Sequence, residues 1–230
     1  MTAYADFHRR SIEDRDGFWG EQAQLIDWHK PFDQVCDYSN PPFARWFAGG
    51  ETNLCHNAVD RHLATRADQN ALIFVSTETN TEKAYSYREL HAEVQRMAAI
   101  YQSLGVKKGD RVLIYMPMIA EAAFAMLACV RIGAIHSVVF GGFASHSLAS
   151  RIDDAQPIVI VSADAGMRGG KSVPYKHLLD EAINLSAHKP AKVLMVNRGL
   201  ADYAKVDGRD VDYAEQRALQ MGTVVPCEWV

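Results

Sequence analysis

From about residue 53 onward the apolar positions fall into short blocks whose period alternates between two and 3.6. Residues 71–75, 83–85, 111–115, 134–140, 157–162 and 192–196 are compact apolar or β-branched runs of strand length. Between them, residues 54–66, 86–104, 119–132, 145–155, 174–185 and 212–221 carry helical spacing. The clearest helix opens at Ser86-Tyr87-Arg88-Glu89, a capping box in which Ser and Glu would each satisfy a backbone N–H of the first turn. Leu90, Val94, Met97, Ala98 and Tyr101 form its apolar stripe, and Gly105 is placed to stop it. Strands that alternate with helices predict an α/β fold: a layered, mostly parallel sheet flanked by helices on both faces. Ligands of such sheets bind beyond the carboxyl ends of the strands.

The first 50 residues break this pattern. They hold Trp19, Trp28 and Trp46, with Pro31, Pro41 and Pro42 between them. Residues 4–10 and 18–28 are short helical stretches, and the remainder reads as irregular. The expected organisation is an irregular, helical N-terminal arm over residues 1–50, packed through its aromatics on a main α/β body over residues 51–230.

Composition narrows the partners. The formal charge is −4, from 24 basic and 28 acidic residues, which gives no electrostatic case for nucleic acid or an anionic membrane. The first twenty residues lack an apolar core of signal-peptide type. No apolar run approaches the ~18 residues that a membrane span needs. Cys36, Cys55, Cys129 and Cys227 form no C-x-x-C pair, so four free thiols and a reducing, cytoplasmic setting are expected. His56 and His62 are six apart, a poor spacing for two ligands on one helix face, and no bound metal or prosthetic group is expected.

Two glycine-containing turns stand out. Phe140-Gly141-Gly142-Phe143 follows one predicted strand. Glycine there would let a ligand approach the backbone, and a Phe would face a flat ring, though any strand-to-helix turn can use Gly-Gly. It is not a G-x-G-x-x-G fingerprint, which weakens a dinucleotide-dependent oxidoreductase as the rival reading. Arg168-Gly169-Gly170-Lys171 places two cations across two small residues. Arg offers a forked contact and Lys a point charge, so both suit one phosphate; a solvated surface turn is the equally simple alternative. No acid–base pair or nucleophile elbow is visible, so no catalytic residue is assigned.

These blocks together resemble the N-terminal part of AMP-forming short-chain acyl-CoA synthetases, the acetyl-CoA and propionyl-CoA synthetase branch of the adenylate-forming superfamily. The resemblance rests on Phe18-Trp19 with Trp28, Asn53-Leu54 with Asp60-Arg61-His62, and Tyr85-Ser86-Tyr87 with Glu89-Leu90. It continues through Gly109-Asp110-Arg111-Val112, Tyr115-Met116-Pro117-Met118 and Arg131-Ile132-Gly133-Ala134, then His136 to Phe143 and Arg168 to Lys171. Asn40 to Phe47, and Lys171 followed by Pro174-Tyr175-Lys176, look most like the propionyl-CoA subgroup.

The resemblance implies a two-step ligase. A short carboxylate and ATP with magnesium give an acyl-adenylate and pyrophosphate; the CoA thiol then captures the acyl group and AMP leaves. The small-molecule substrates would be propionate or acetate, ATP and CoA. The resemblance makes Phe140, Gly141, Gly142, Arg168, Gly169, Gly170 and Lys171 CoA contacts, with Phe140 against adenine and the two cations on phosphate. The family's Ser/Thr/Gly-rich ATP loop, ribose-binding aspartate and adenylation lysine are expected beyond Val230. The 230-residue chain is therefore expected to carry part of the CoA surface and not to adenylate alone. The alternatives are an acetate–CoA ligase and a non-catalytic CoA-binding module.

Overall fold

Five parallel strands run side by side in the order β11-β10-β7-β5-β6. They are β5 (Arg111–Met116), β6 (Ile135–Phe140), β7 (Val159–Ala163), β10 (Lys192–Val196) and β11 (Asp210–Asp212). The computed structural model describes residues 3–141 and 144–230. Helices cover both faces, as the alternating pattern predicts. Val112 and Ile114 of β5 face α5 (Tyr87–Ser103), α6 (Ala120–Arg131) and α9 (Tyr213–Leu219). Leu113 and Tyr115, the alternate positions, face α7 (Ser145–Ala155) and α8 (Tyr175–Leu185). A strand buried on both faces cannot alternate in polarity, which is why β5 reads as a continuous apolar run.

The chain divides into two compact units: residues up to Asn53 with Trp229 and Val230, and Leu54–Glu228. The first unit contains α1 (Tyr4–Glu13) and α2 (Arg15–Gln22). Its irregular stretch, as read from sequence, is instead an antiparallel hairpin of β1 (Gln34–Asn40) and β2 (Phe43–Ala48). Pro41 and Pro42 suggested a broken chain, but they occupy the connection, where no ladder N–H is required. Trp19 meets Trp46 edge-on at 5.9 Å, and Trp28 meets Phe32 at 5.1 Å, so these rings pack on one another.

In the second unit the helix predicted over 54–66 breaks into α3 (Leu54–Ala58), a 3₁₀ turn (Asp60–His62) and α4 (Leu63–Arg66). The cause lies at Asp60, which turns inward to a buried guanidinium. Arg131 Nη1 and Nη2 each donate to one Asp60 carboxylate oxygen at 2.9 Å. Arg131 Nε donates to the Val225 carbonyl at 2.6 Å. β3 (Asn70–Ser76) and β4 (Thr81–Ser86) form a separate antiparallel hairpin. The capping box forms as read: Glu89 N donates to Ser86 Oγ at 3.2 Å, and Ser86 N to Glu89 Oε2 at 2.8 Å. At the far end of α5 the Gly105 and Val106 N–H groups bond back to Gln102 and Tyr101, a Schellman closure. The helix expected from residue 212 begins at Tyr213, and Asp210–Asp212 ahead of it form the edge strand β11; Asp212 caps α9 by accepting from Glu215 N at 2.9 Å.

Burial pushes the Asp60 carboxyl up, but hydrogen bonds from His91 and Arg131 outweigh it and hold it well below the usual carboxylate range. A depressed carboxyl contributes stability that is complete above its unfolded value, ~3.9, and is lost as pH falls through the folded value. Removing one partner also strands a buried charge, a change that costs about 3–5 kcal/mol. Asp60→Asn is therefore expected to lower unfolding stability at pH 7 by about that amount. It should also flatten the loss of stability below about pH 4. Urea titrations of both proteins across pH 3–7 check both parts.

Candidate functional site

The strand order reverses around β5. After β5 the chain leaves toward α6 on one face; after β6 and β7 it leaves toward α7 and α8 on the other. Neighbouring strands whose continuations part to opposite faces open a crevice at their carboxyl ends. Phe140 ends β6 in register with Met116 at the end of β5. A cleft of about 560 Å³ lies here, lined among others by Met116, Pro117, Phe140, Gly141 and Arg168.

The second turn is more ordered than a solvated loop. β8 (Gly166–Arg168) and β9 (Lys171–Val173) pair antiparallel, joined by Gly169 and Gly170. Their φ values are +57° and +75°, the two positive angles of a type I′ hairpin turn. A Cβ at either glycine would meet nothing within 4 Å, so glycine is needed for the backbone and the space beside the turn is open. Arg168 faces Lys171 across the ladder, and facing cross-strand side chains emerge on one side. The Arg168 guanidinium carbon sits 5.6 Å from the centre of the Phe140 ring, within cation–π range. Two sequence-distant turns thus bring Phe140, Arg168 and Lys171 to one exposed edge. Phe140 is 64% exposed. Among the described residues neither Arg168 nor Lys171 makes an ion pair. Gly142 and its neighbour Phe143 lie outside the described residues.

Gly141 behaves differently from the contact expected of it. It is buried, and a Cβ there would lie 2.0 Å from the Tyr175 hydroxyl oxygen and 2.2 Å from its ring. Gly166 meets the other edge of the same ring, with a Cβ at 2.5 Å. Tyr175, the first residue of α8, is thus wedged between the two turns. Behind it Tyr115 makes an edge contact at 5.0 Å. The Tyr115 phenol is pushed up to about 12 by burial and then by Tyr175, and Tyr175 is raised by burial and by Glu78. Both stay neutral at neutral pH and serve as packing groups.

Other residues hold the hairpin in place without being legible in sequence. Glu78, in the β3–β4 connection, accepts from Met167 N at 3.2 Å and from Arg198 Nη2 at 2.6 Å. Arg198 Nη1 donates to the Ala165 carbonyl at 3.0 Å. Buried Asp164 gathers the N–H groups of Arg198, Leu200 and Ala201 at 3.0, 2.7 and 3.2 Å. The available signal was a glycine at each strand end, Gly141 and Gly166, with an aromatic at the next helix start.

Residues 59–223 match the family described as AMP-binding enzyme. This chain belongs to the AMP-binding enzyme family. Residues 4–58 of this AMP-binding family member match a second model, acetyl-coenzyme A synthetase N-terminus. It is 59% identical to a propionate–CoA ligase of Escherichia coli (strain K12), over 99% of this chain and 36% of that protein. It is 50% identical to acetyl-coenzyme A synthetase 2 of Pseudomonas putida, over 92% of this chain and 33% of that one. The solved acetoacetyl-CoA synthetase from Streptomyces lividans superposes with a TM-score of 0.87 at 26% identity, covering all of this chain and 35% of that structure. The chain thus spans about a third of the length of the curated relatives it matches.

The Tyr175 wedge makes a specific demand. Gly141→Ala forces an overpacked contact and should lower unfolding stability by about 1–3 kcal/mol. In a Tyr175→Ala background the same change should cost much less, because the two sites share one contact. A double-mutant cycle read by urea unfolding measures the coupling; additive effects would mean the ring does not hold the turn.

Proposed function

We propose that this chain carries part of the CoA-binding surface of an AMP-forming acyl-CoA synthetase that converts propionate, ATP and CoA to propionyl-CoA, AMP and pyrophosphate. The observation that carries the reading is an exposed aromatic ring met by Arg168, with Lys171 facing Arg168 across the hairpin and neither cation in an ion pair among the described residues. CoA offers a planar adenine and a ribose 3′-phosphate at one end, which is the chemistry this edge suits. Phe140 would cover a face of the adenine. Arg168 would fork onto phosphate oxygens and Lys171 would add a point charge. Gly169 and Gly170 would let that phosphate approach the hairpin backbone. ATP and magnesium enter as substrates of the same reaction, with no residue of this chain assigned to them. A cytoplasmic location and small-molecule substrates belong to the same reading. No helix among the described residues is long and apolar enough to cross a membrane.

Propionate is favoured over acetate by the 59% identity to the propionate–CoA ligase, against 50% for the acetyl-CoA synthetase. Propionate-dependent exchange of pyrophosphate into ATP, with acetate as competitor, tests that choice on the polypeptide as made in its source cell.

The coenzyme contact has its own test. A charge-assisted hydrogen bond is worth about 1.5–3 kcal/mol, so Arg168→Ala or Lys171→Ala should each weaken CoA binding roughly 10-fold or more. The unaltered protein should prefer CoA to CoA lacking its 3′-phosphate, and the variants should lose that preference. Calorimetric titrations with both ligands decide it; equal affinity of the unaltered protein for both would refute the phosphate role.

A further inference from the structure

Two of the four cysteines, far apart in sequence, lie side by side. Cys55 is fully buried on α3, and Cys227 is half-buried in the segment after α9. Their sulfurs and an Asp60 carboxylate oxygen all lie within 4.8 Å of one another. Each sulfur is 3.8 Å from a different oxygen of Asp60. Arg131 Nη1 reaches the Cys55 sulfur at 3.5 Å. The segment bearing Cys227 is fastened on both sides. Val225 N donates to Gln95 Oε1 at 2.7 Å, Arg131 Nε to the Val225 carbonyl at 2.6 Å, and Glu228 N to the Arg131 carbonyl at 2.7 Å.

Two thiolates and a carboxylate, with His91 Nε2 3.3 Å from Asp60, are also a donor set for zinc. The guanidinium argues against it. Arg131 already takes both carboxylate oxygens and touches one sulfur, so a dication would sit against a buried cation. A positive group beside paired thiols favours thiolate chemistry instead.

We propose that Cys227 and Cys55 form an oxidisable dithiol, a modification site at which a low-molecular-weight disulfide such as oxidised glutathione closes an intrachain disulfide. The two thiols are unequal. The hydrogen bond from Cys55 holds the Cys227 thiol below its ordinary value, with help from Arg131 and against both burial and the Asp60 carboxylate. The same hydrogen bond, and then burial, push Cys55 up. Cys227 is half-buried where Cys55 is fully enclosed, so Cys227 is the sulfur a small disulfide can reach and the attacking group. Its thiolate bonds to one sulfur of the small disulfide, whose S–S bond breaks and expels one thiolate. That step removes the Cys227 thiolate that kept Cys55 protonated, while Arg131 remains beside it. Cys55 attacks the Cys227 sulfur, its proton passes to the departing thiolate, and the second small thiol leaves. The protein loses two hydrogens and two electrons; the small disulfide becomes two thiols. The bond ties α3 to the segment that Arg131 already holds.

The test is oxidation of the native polypeptide with glutathione disulfide, then alkylation, intact mass and peptide mapping. The expected result is loss of two alkylatable thiols with no added glutathione, a Cys55–Cys227 cross-linked peptide, and reversal by dithiothreitol. Cys55→Ser should stop at one glutathione on Cys227, and Cys227→Ser should leave Cys55 unmodified. Circular dichroism checks that both variants fold. Cys55 and Cys227 both still alkylatable after oxidation, or glutathione on Cys36 with none on Cys227, would overturn the proposal. So would one zinc per chain in protein purified without chelator, lost in both variants.

Discussion

A buried guanidinium must be paired, and at Arg131 that requirement organises the second unit. Its side chain is 4% exposed, too dry to leave a charge uncompensated. Asp60 supplies the carboxylate, and to do so it ends α3 and turns the chain through a 3₁₀ step. The Val225 carbonyl takes the remaining Nε proton, drawing residues 225–228 onto α5 and α6. Three segments distant in sequence converge because one cation at the end of α6 has more donors than its own helix can satisfy. The same convergence sets the two thiols together, so their proximity follows from the ion pair.

The strand-end cleft works by the opposite logic. Arg168 and Lys171 stay exposed, with no ion pair among the described residues, while the parts beneath them are tightly held. Tyr175 fills the places where Gly141 and Gly166 lack side chains, and Glu78 and Arg198 pin the strand that leads to Arg168. Exposed cations on a fixed hairpin leave the backbone beneath them with little ordering still to be done if a ligand is met there. The rigidity comes from a packed ring and a paired carboxylate, while the cations at the rim stay solvated.

Sequence reading went furthest where the signal was local. The capping box at Ser86 and Glu89, the stop at Gly105 and the double-sided apolar run of β5 each depend on neighbours within a few residues. The parallel sheet followed from their alternation. Reading failed where pairing is long-range. Residues 34–48 fold as a hairpin because their prolines lie in its connection, and residues 210–212 become a strand only because β10 offers a free edge. At the site, Phe140, Arg168 and Lys171 were each visible as a residue type. Tyr175, Glu78 and Asp164 were not, since no spacing rule links residue 78 to 198.

Gly141 has a structural reason to be glycine that the sequence does not reveal. Sequence logic makes a strand-end glycine a place for a ligand to approach the backbone. In the structure its bare Cα is filled by the protein's own Tyr175 ring. At Gly169 and Gly170 the logic is different again, since there the backbone angles alone require glycine and the space outside is empty. The two turns share a composition but divide the labour: one glycine locks the floor of the cleft, and the other pair leaves its rim open. Any ligand at this edge would meet side chains of Phe140, Arg168 and Lys171 and the backbone of the hairpin, while Gly141 acts through the ring beneath it.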